Sequence, residues 1–187
     1  SLPRDYNWSP PASEAQTTQS KIANTKESDI SDRFEIALGN IVHRSLKWVA
    51  DSEEKDLLEI RNRQIFWSNE LLIDENSKSE VIELSHDHIS TVLSSSIGRW
   101  ILESHVNAKS EWEVSIRGNA DEHRHIIIDR YFEFKNEHWI IDYKTSVPTS
   151  IEKLDDFLRV QRTRYTTQLE RYRSAIANLY PSSSGNI

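Results

Sequence analysis

Residues 125–145 read HIIIDRYFEFKNEHWIIDYKT. Two apolar runs, 125–134 and 138–143, flank the polar link Lys-Asn-Glu at 135–137, and such runs, rich in Ile, Tyr, Phe and Trp, predict two strands joined by a tight connection. Each run carries an acid directly after isoleucines, Asp129 after Ile126–Ile128 in the first and Asp142 after Ile140 and Ile141 in the second. Strand alternation puts Asp142 on one face with Ile140, and Lys144 follows on that face just past the strand end, while Trp139, Ile141 and Tyr143 face the other way. Asp129 lies in the neighbouring strand and approaches Asp142 if the pair is antiparallel. Two carboxylates and a lysine therefore converge.

Upstream, Trp112, Val114 and Ile116 alternate with Glu111, Glu113 and Ser115, which adds a half-buried strand and makes a three-stranded meander. Before the strands the period is helical. Phe34, Leu38, Ile41, Val42, Leu46 and Val49 recur at the spacing of an amphipathic helix that opens near Asp32, with Ser31 or Asp32 as its N-cap. Further helical stretches are expected near 54–72 and 79–94. After Thr145 comes a loop or short helix holding Pro148, then a helix from about 163 to 178 with Tyr165, Leu169, Tyr172 and Ile176 in register. Any strand after that helix begins in the turn-like YPSSSGNI or lies outside this chain. Residues 1–29 are rich in Ser, Thr, Pro, Gln and Lys, the composition of a linker or extended arm, on which Trp8 is the residue expected to dock. The expected organisation is thus an arm over 1–29 and one domain over 30–187, with a helical region at 32–102 and a catalytic sheet and helix at 109–180.

The 187 residues suffice for one domain with a proper core. No apolar run approaches the roughly 18 residues that span a bilayer, so no membrane partner is expected. Without cysteine there is no disulfide framework, thiol nucleophile or cysteine-ligated metal. The chain also lacks methionine, including at position 1, and is expected to be a fragment of a longer protein. The net charge of −7 argues against holding nucleic acid by overall positive charge. The acidic surplus lies in the first 120 residues, whereas Arg159, Arg162, Arg164, Arg171 and Arg173 crowd one late stretch against Glu170 alone. That stretch reads equally as a phosphate-facing patch or a solvated helix face.

Two close carboxylates repel unless a cation sits between them, and hard oxygen ligands select Mg²⁺ or Mn²⁺. Such a cation neutralises charge building up on a phosphate, and a lysine beside it stabilises the transition state, which is the chemistry of phosphodiester hydrolysis. An Asp-x-Lys triplet at a strand end is by itself more often a solvated turn. Its weight here comes from the apolar strand leading into it and from the second acid in IIID.

The ordered set LGNIVHRSL, SEWEV, IIIDRYFEF, WIIDYKT and YTTQLERY resembles the nuclease domain of the RecB and AddA helicase–nucleases, a branch of the PD-(D/E)XK superfamily. The likeness runs from about Leu38 to Tyr172. It implies an α/β fold with a restriction-endonuclease-like core, a small mixed sheet flanked by helices and preceded by a helical region. It implies His43, Asp129, Asp142 and the carbonyl of Tyr143 as ligands of Mg²⁺ or Mn²⁺, and Lys144 as the catalytic lysine. Gln168 and Tyr172 become the QxxxY motif, and their i, i+4 spacing independently puts them on one helix face with Tyr165. Glu111 is implied as an acid in or just behind the metal site, while Arg162, Arg164 and Arg171 of the basic stretch, with Tyr165 on the QxxxY face, are the expected DNA contacts. Two features depart from the family pattern: the glycine expected shortly before Asp129 is replaced by the run RHIII, and the iron–sulfur cysteines of some relatives are absent.

The resemblance implies a divalent-metal-dependent exo- or endonuclease acting on single- or double-stranded DNA in double-strand break repair or recombination. Its setting would be cytoplasmic and nucleoid-associated, of bacterial type. Helicase domains are expected in the same parent chain or a partner subunit, since no GxxxxGK motif followed by Ser or Thr occurs here. The alternatives are a standalone endonuclease of restriction or phage type and a catalytically silent DNA-binding or scaffold module of the same fold.

Overall fold

A computed structural model describes residues 18–53, 56–117, 123–148 and 153–181. Their elements run α1 (Thr18–Asp51), α2 (Leu57–Ser68), α3 (Glu75–Ser94), α4 (Ser96–Leu102), β1 (Val106–Arg117), β2 (His123–Phe134), β3 (Glu137–Ile141) and α5 (Leu154–Leu179). The first helix begins earlier than its apolar stripe, so its opening turns occupy part of the stretch read as an arm, and Trp8 lies outside the described residues.

The helical region closes on the stripe visible in the sequence. Ala37, Leu38, Ile41, Val42, Leu46 and Val49 of α1 are buried with Ile60, Val81, Ile89 and Leu102 from the next three helices. Acidic side chains start two of those helices: Asp56 accepts from the Leu58 N–H, and Asp74 from the N–H groups of Asn76 and Ser77. The short α4 is capped by the Ser95 hydroxyl, which accepts from the Gly98 N–H at 3.3 Å. Gly98 is demanded by a close approach. A Cβ there would collide with the carbonyl oxygen of Val92 and lie 2.9 Å from Val92 Cγ1. Gly98→Ala should therefore destabilise the fold by about 1–3 kcal/mol, as over-packing does. Thermal melting checks this, and an unchanged melting temperature would refute the tight α3–α4 contact.

The described sheet is antiparallel in the order β1-β2-β3, where a mixed sheet was expected. Its short connections enforce that direction. A parallel strand after α5 would fall at or beyond residues 182–187, which lie outside the described residues. The β2–β3 link is tighter than the sequence suggests: Lys135 and Asn136 both take left-handed conformations, at φ 52° and 64°, and Phe134 pairs directly with Glu137. Two successive left-handed residues match the right-handed twist of the flanking strands.

The sheet has a helical layer on each face. Toward α5, Val114, Ile128, Tyr131 and the partly buried Trp112, Ile126 and Ile140 pack with Tyr172, Ala175 and Ile176. Toward the helical region, Phe132 and Trp139 pack around Trp100 of α4. The architecture is thus mixed α/β, a small antiparallel sheet with helices.

Strict alternation fails at one place in β2. Ile128 and Tyr131, of opposite parity, share the α5 face, whereas the adjacent Asp129 and Arg130 both turn to the α1–α4 side. The fault coincides with Glu111 of β1, which is left-handed at φ 46° and sits between the paired residues Ser110 and Trp112. A local kink of this kind re-aims side chains, and here it brings an acid and an arginine together under α1.

Candidate functional site

The kink fixes Asp129, and the end of β3 fixes its partners. Arg130 pairs with Ile141 at the end of the ladder, and Asp129 and Asp142 are the next residues along, close enough for the charge of Asp129 to act on Asp142. β3 stops at Ile141, and the Tyr143 N–H turns to donate to Asp129 Oδ2 at 2.7 Å. Asp129 Oδ1 points at His43 Nδ1 of α1, 3.5 Å away. On the other carboxylate, Gln168 Nε2 of α5 donates to Asp142 Oδ1 at 3.0 Å, and Lys144 pairs with Asp142 Oδ2. Gln168 Nε2 also lies 2.6 Å from the Tyr172 hydroxyl. His43, Asp129, Asp142, Lys144, Gln168 and Tyr172, distant in sequence, thus form one connected cluster.

The electrostatics follow from burial. Asp142, with 7% of its side chain exposed, is pushed above the usual carboxylate range by burial, and Lys144 beside it only partly offsets this. Burial works against charge on His43, but the hydrogen bond and negative charge of Asp129 outweigh it and raise the imidazole above its usual value. Burial also raises the Tyr172 phenol, with Gln168 opposing, so that the hydroxyl stays protonated.

Each acid therefore has one oxygen on a neutral N–H donor, Tyr143 or Gln168, and the other beside a basic side chain, His43 or Lys144. Among the described residues no three His, Asp or Glu side chains stand grouped as a ready-made cation cage. The donor chemistry nonetheless fits a hard divalent ion. A cation can sit on the two carboxylate oxygens that His43 and Lys144 approach, with the neutral donors keeping both carboxylates oriented.

Tyr165, one turn before Gln168, holds its ring 4.5 Å from Lys144 Nζ and 5.5 Å from the Arg164 guanidinium. Arg162, Arg164 and Arg171 are exposed on α5, whereas Arg159 and Arg173 are drawn into pairs with Asp156 and Glu170. Glu111 is bound to Lys47 at 2.8 Å. It lines, with His43 and Asp129, a cleft of about 950 Å³ between α1 and the first two strands. The Tyr143 ring packs edge-on to His43.

Arg130 is the structural residue that sequence reading missed. Only 2% exposed, it donates to the carbonyls of Ile101 and Glu103 at 3.3 and 2.8 Å and to Ser110 Oγ at 3.0 Å. Asp51, at the end of α1, accepts from Ser110 at 2.7 Å and lies 3.8 Å from the guanidinium. Arg130 thus caps α4 and ties α1 and β1 to the strand that carries Asp129. The signal available was a lone arginine in the apolar run IIIDRYF, since a buried guanidinium must find acceptors.

Among the described residues no helix is long and apolar enough to cross a membrane. No known family model matches the chain. No curated protein is similar enough to count as a relative.

Proposed function

We propose that the protein is a divalent-metal-dependent deoxyribonuclease with a PD-(D/E)XK-like core, the cutting module of a helicase–nuclease. The observation that carries this reading is the convergence of Asp129, Asp142 and Lys144 with His43 and Gln168, contributed by α1, β2, the end of β3 and α5. His43, Asp129, Asp142 and the carbonyl of Tyr143 would hold Mg²⁺ or Mn²⁺, which supplies positive charge to a scissile phosphate and acidifies a nearby water. Lys144, once released from Asp142, donates to a non-bridging phosphate oxygen as charge develops there. Gln168 keeps Asp142 turned inward, and Tyr165 beneath Lys144 steers the ammonium. Arg162, Arg164 and Arg171 supply local positive charge on a chain that is acidic overall, so delivery of DNA by linked helicase domains fits the charge balance.

The direct test is incubation with linear single- and double-stranded DNA plus Mg²⁺ or Mn²⁺, beside Asp142→Ala and Lys144→Ala. Cutting that needs metal and disappears in both variants supports the reading. DNA binding with no cutting under any metal, including when a helicase feeds the strand, would replace it with the silent-module reading.

The site also gives a pH signature. His43 and Asp142 both have raised folded-state pKa values, so the folded state holds extra protons and stability falls as pH rises through each of them. For His43 the contribution is fully present below its unfolded value and is lost above the folded one. Cation binding expels those protons, so Mn²⁺ should raise the melting temperature more at mildly alkaline than at mildly acidic pH. Melting curves at both pH values, with and without Mn²⁺, check this. A shift that does not grow with pH would contradict the ligand set.

A further inference from the structure

The cleft beside the acids carries a feature that packing does not explain. Gly39 stands in the middle of α1, where glycine is the least favourable residue after proline. Nothing lies within 4 Å of where its Cβ would be, so no neighbour in the described fold requires it. It opens into the cleft that His43 and Asp129 line. Ile36, Asn40, His43, Arg44 and Lys47 share that face at helical spacing.

The walls suit a flat, uncharged group. Ile36 and Ile127 leave 63% and 39% of their surface exposed there. The Arg44 guanidinium lies 5.0 Å from the Trp67 ring centroid, held by Glu70 at 2.6 Å, with its side chain 41% exposed. Arg44 and Lys47 are matched by Glu70 and Glu111, and Glu113 adds a further negative charge. A phosphate would meet that acid. A neutral base meets apolar side chains and a guanidinium backed by an indole, the kind of plane on which unpaired bases stack.

We propose that this cleft holds an unpaired nucleobase of the strand that is cut, stacked over Arg44 and Trp67 and seated against the backbone at Gly39. The proposal rests on the nuclease reading for its substrate class and adds a specificity site to it.

The test is fluorescence anisotropy with a labelled single-stranded deoxyoligonucleotide in Ca²⁺ without Mg²⁺, repeated with an abasic strand and a duplex. Gly39→Leu should melt at or above the wild-type temperature, because leucine is the better helix former and has open space. It should bind the single strand roughly tenfold or more weakly, as loss of a stacked base does. Arg44→Lys keeps the charge and removes the plane, and should weaken binding in the same direction. The abasic strand should bind all three proteins alike. Folded Gly39→Leu binding as tightly as wild type, or wild type binding the abasic strand as tightly as the normal one, would overturn the proposal. Gly39-dependent binding without cutting under any metal keeps the cleft and removes the hydrolytic reading. Cutting that Gly39→Leu leaves unchanged in rate and affinity does the reverse.

Discussion

Lys144→Ala should lower the rate of DNA cutting roughly 100- to 1000-fold, the loss typical when one positioned donor to transition-state charge is removed. Its effect on metal binding should have the opposite sign. Lys144 pairs with Asp142 Oδ2, so its removal frees that oxygen, and the variant should bind Mn²⁺ at least as tightly as wild type. A lysine that only bridged the strand end would give a different pair of results, with unchanged cutting and a lower melting temperature. Single-turnover rates and Mn²⁺ affinity measured on one preparation separate the two roles. Cutting within a factor of about two of wild type would remove Lys144 from the chemistry.

Arg130→Leu is expected to destabilise the protein by about 3–5 kcal/mol, a large part of the roughly 5–15 kcal/mol that holds an ordinary domain together. Leucine restores apolar volume but leaves the carbonyls of Ile101 and Glu103 and the Ser110 hydroxyl without their buried donor. Asp51 also loses its charged neighbour, a smaller effect because that carboxylate is partly exposed. Arg130→Lys should recover part of the loss, since one ammonium cannot reach acceptors spread around a planar fork. Urea unfolding checks the series. A loss below about 1 kcal/mol for the leucine variant would show that the guanidinium is not what joins α4 and α1 to the sheet.

Features resting on local periodicity were legible in the sequence. The α1 stripe from Leu38 to Val49 is the buried face of the helical region, the run 125–143 is a hairpin, and the Gln168–Tyr172 spacing places both side chains at Asp142. The antiparallel pairing, read from a short polar link, brings Asp129 close to Asp142. What stayed hidden depends on contacts distant in sequence or on faces with no pattern. The first turns of α5 leave Leu154, Leu158 and Val160 exposed, so no apolar stripe marks the helix before about residue 163. The short α4 is set off from α3 by the Ser95 cap and the Gly98 contact rather than by a stripe. The kink at Glu111 has no glycine to announce it. It re-aims Asp129 and Arg130 together, which strict alternation would have placed on opposite faces. Glu111 is likewise drawn to Lys47, because the kink turns it to the cleft rim.

The proposed chemistry depends on Asp129 and Asp142 sharing a cation, and calorimetric titration of Mn²⁺ into the wild-type protein and Asp142→Asn at mildly acidic pH tests that most directly. The expected result is saturable binding to the wild type, with proton release into the buffer and heat that changes with buffer ionisation enthalpy, and binding by Asp142→Asn weakened roughly tenfold or more. Wild-type protein that takes up no Mn²⁺, or a variant that binds it with the same affinity and the same proton release, would contradict the account.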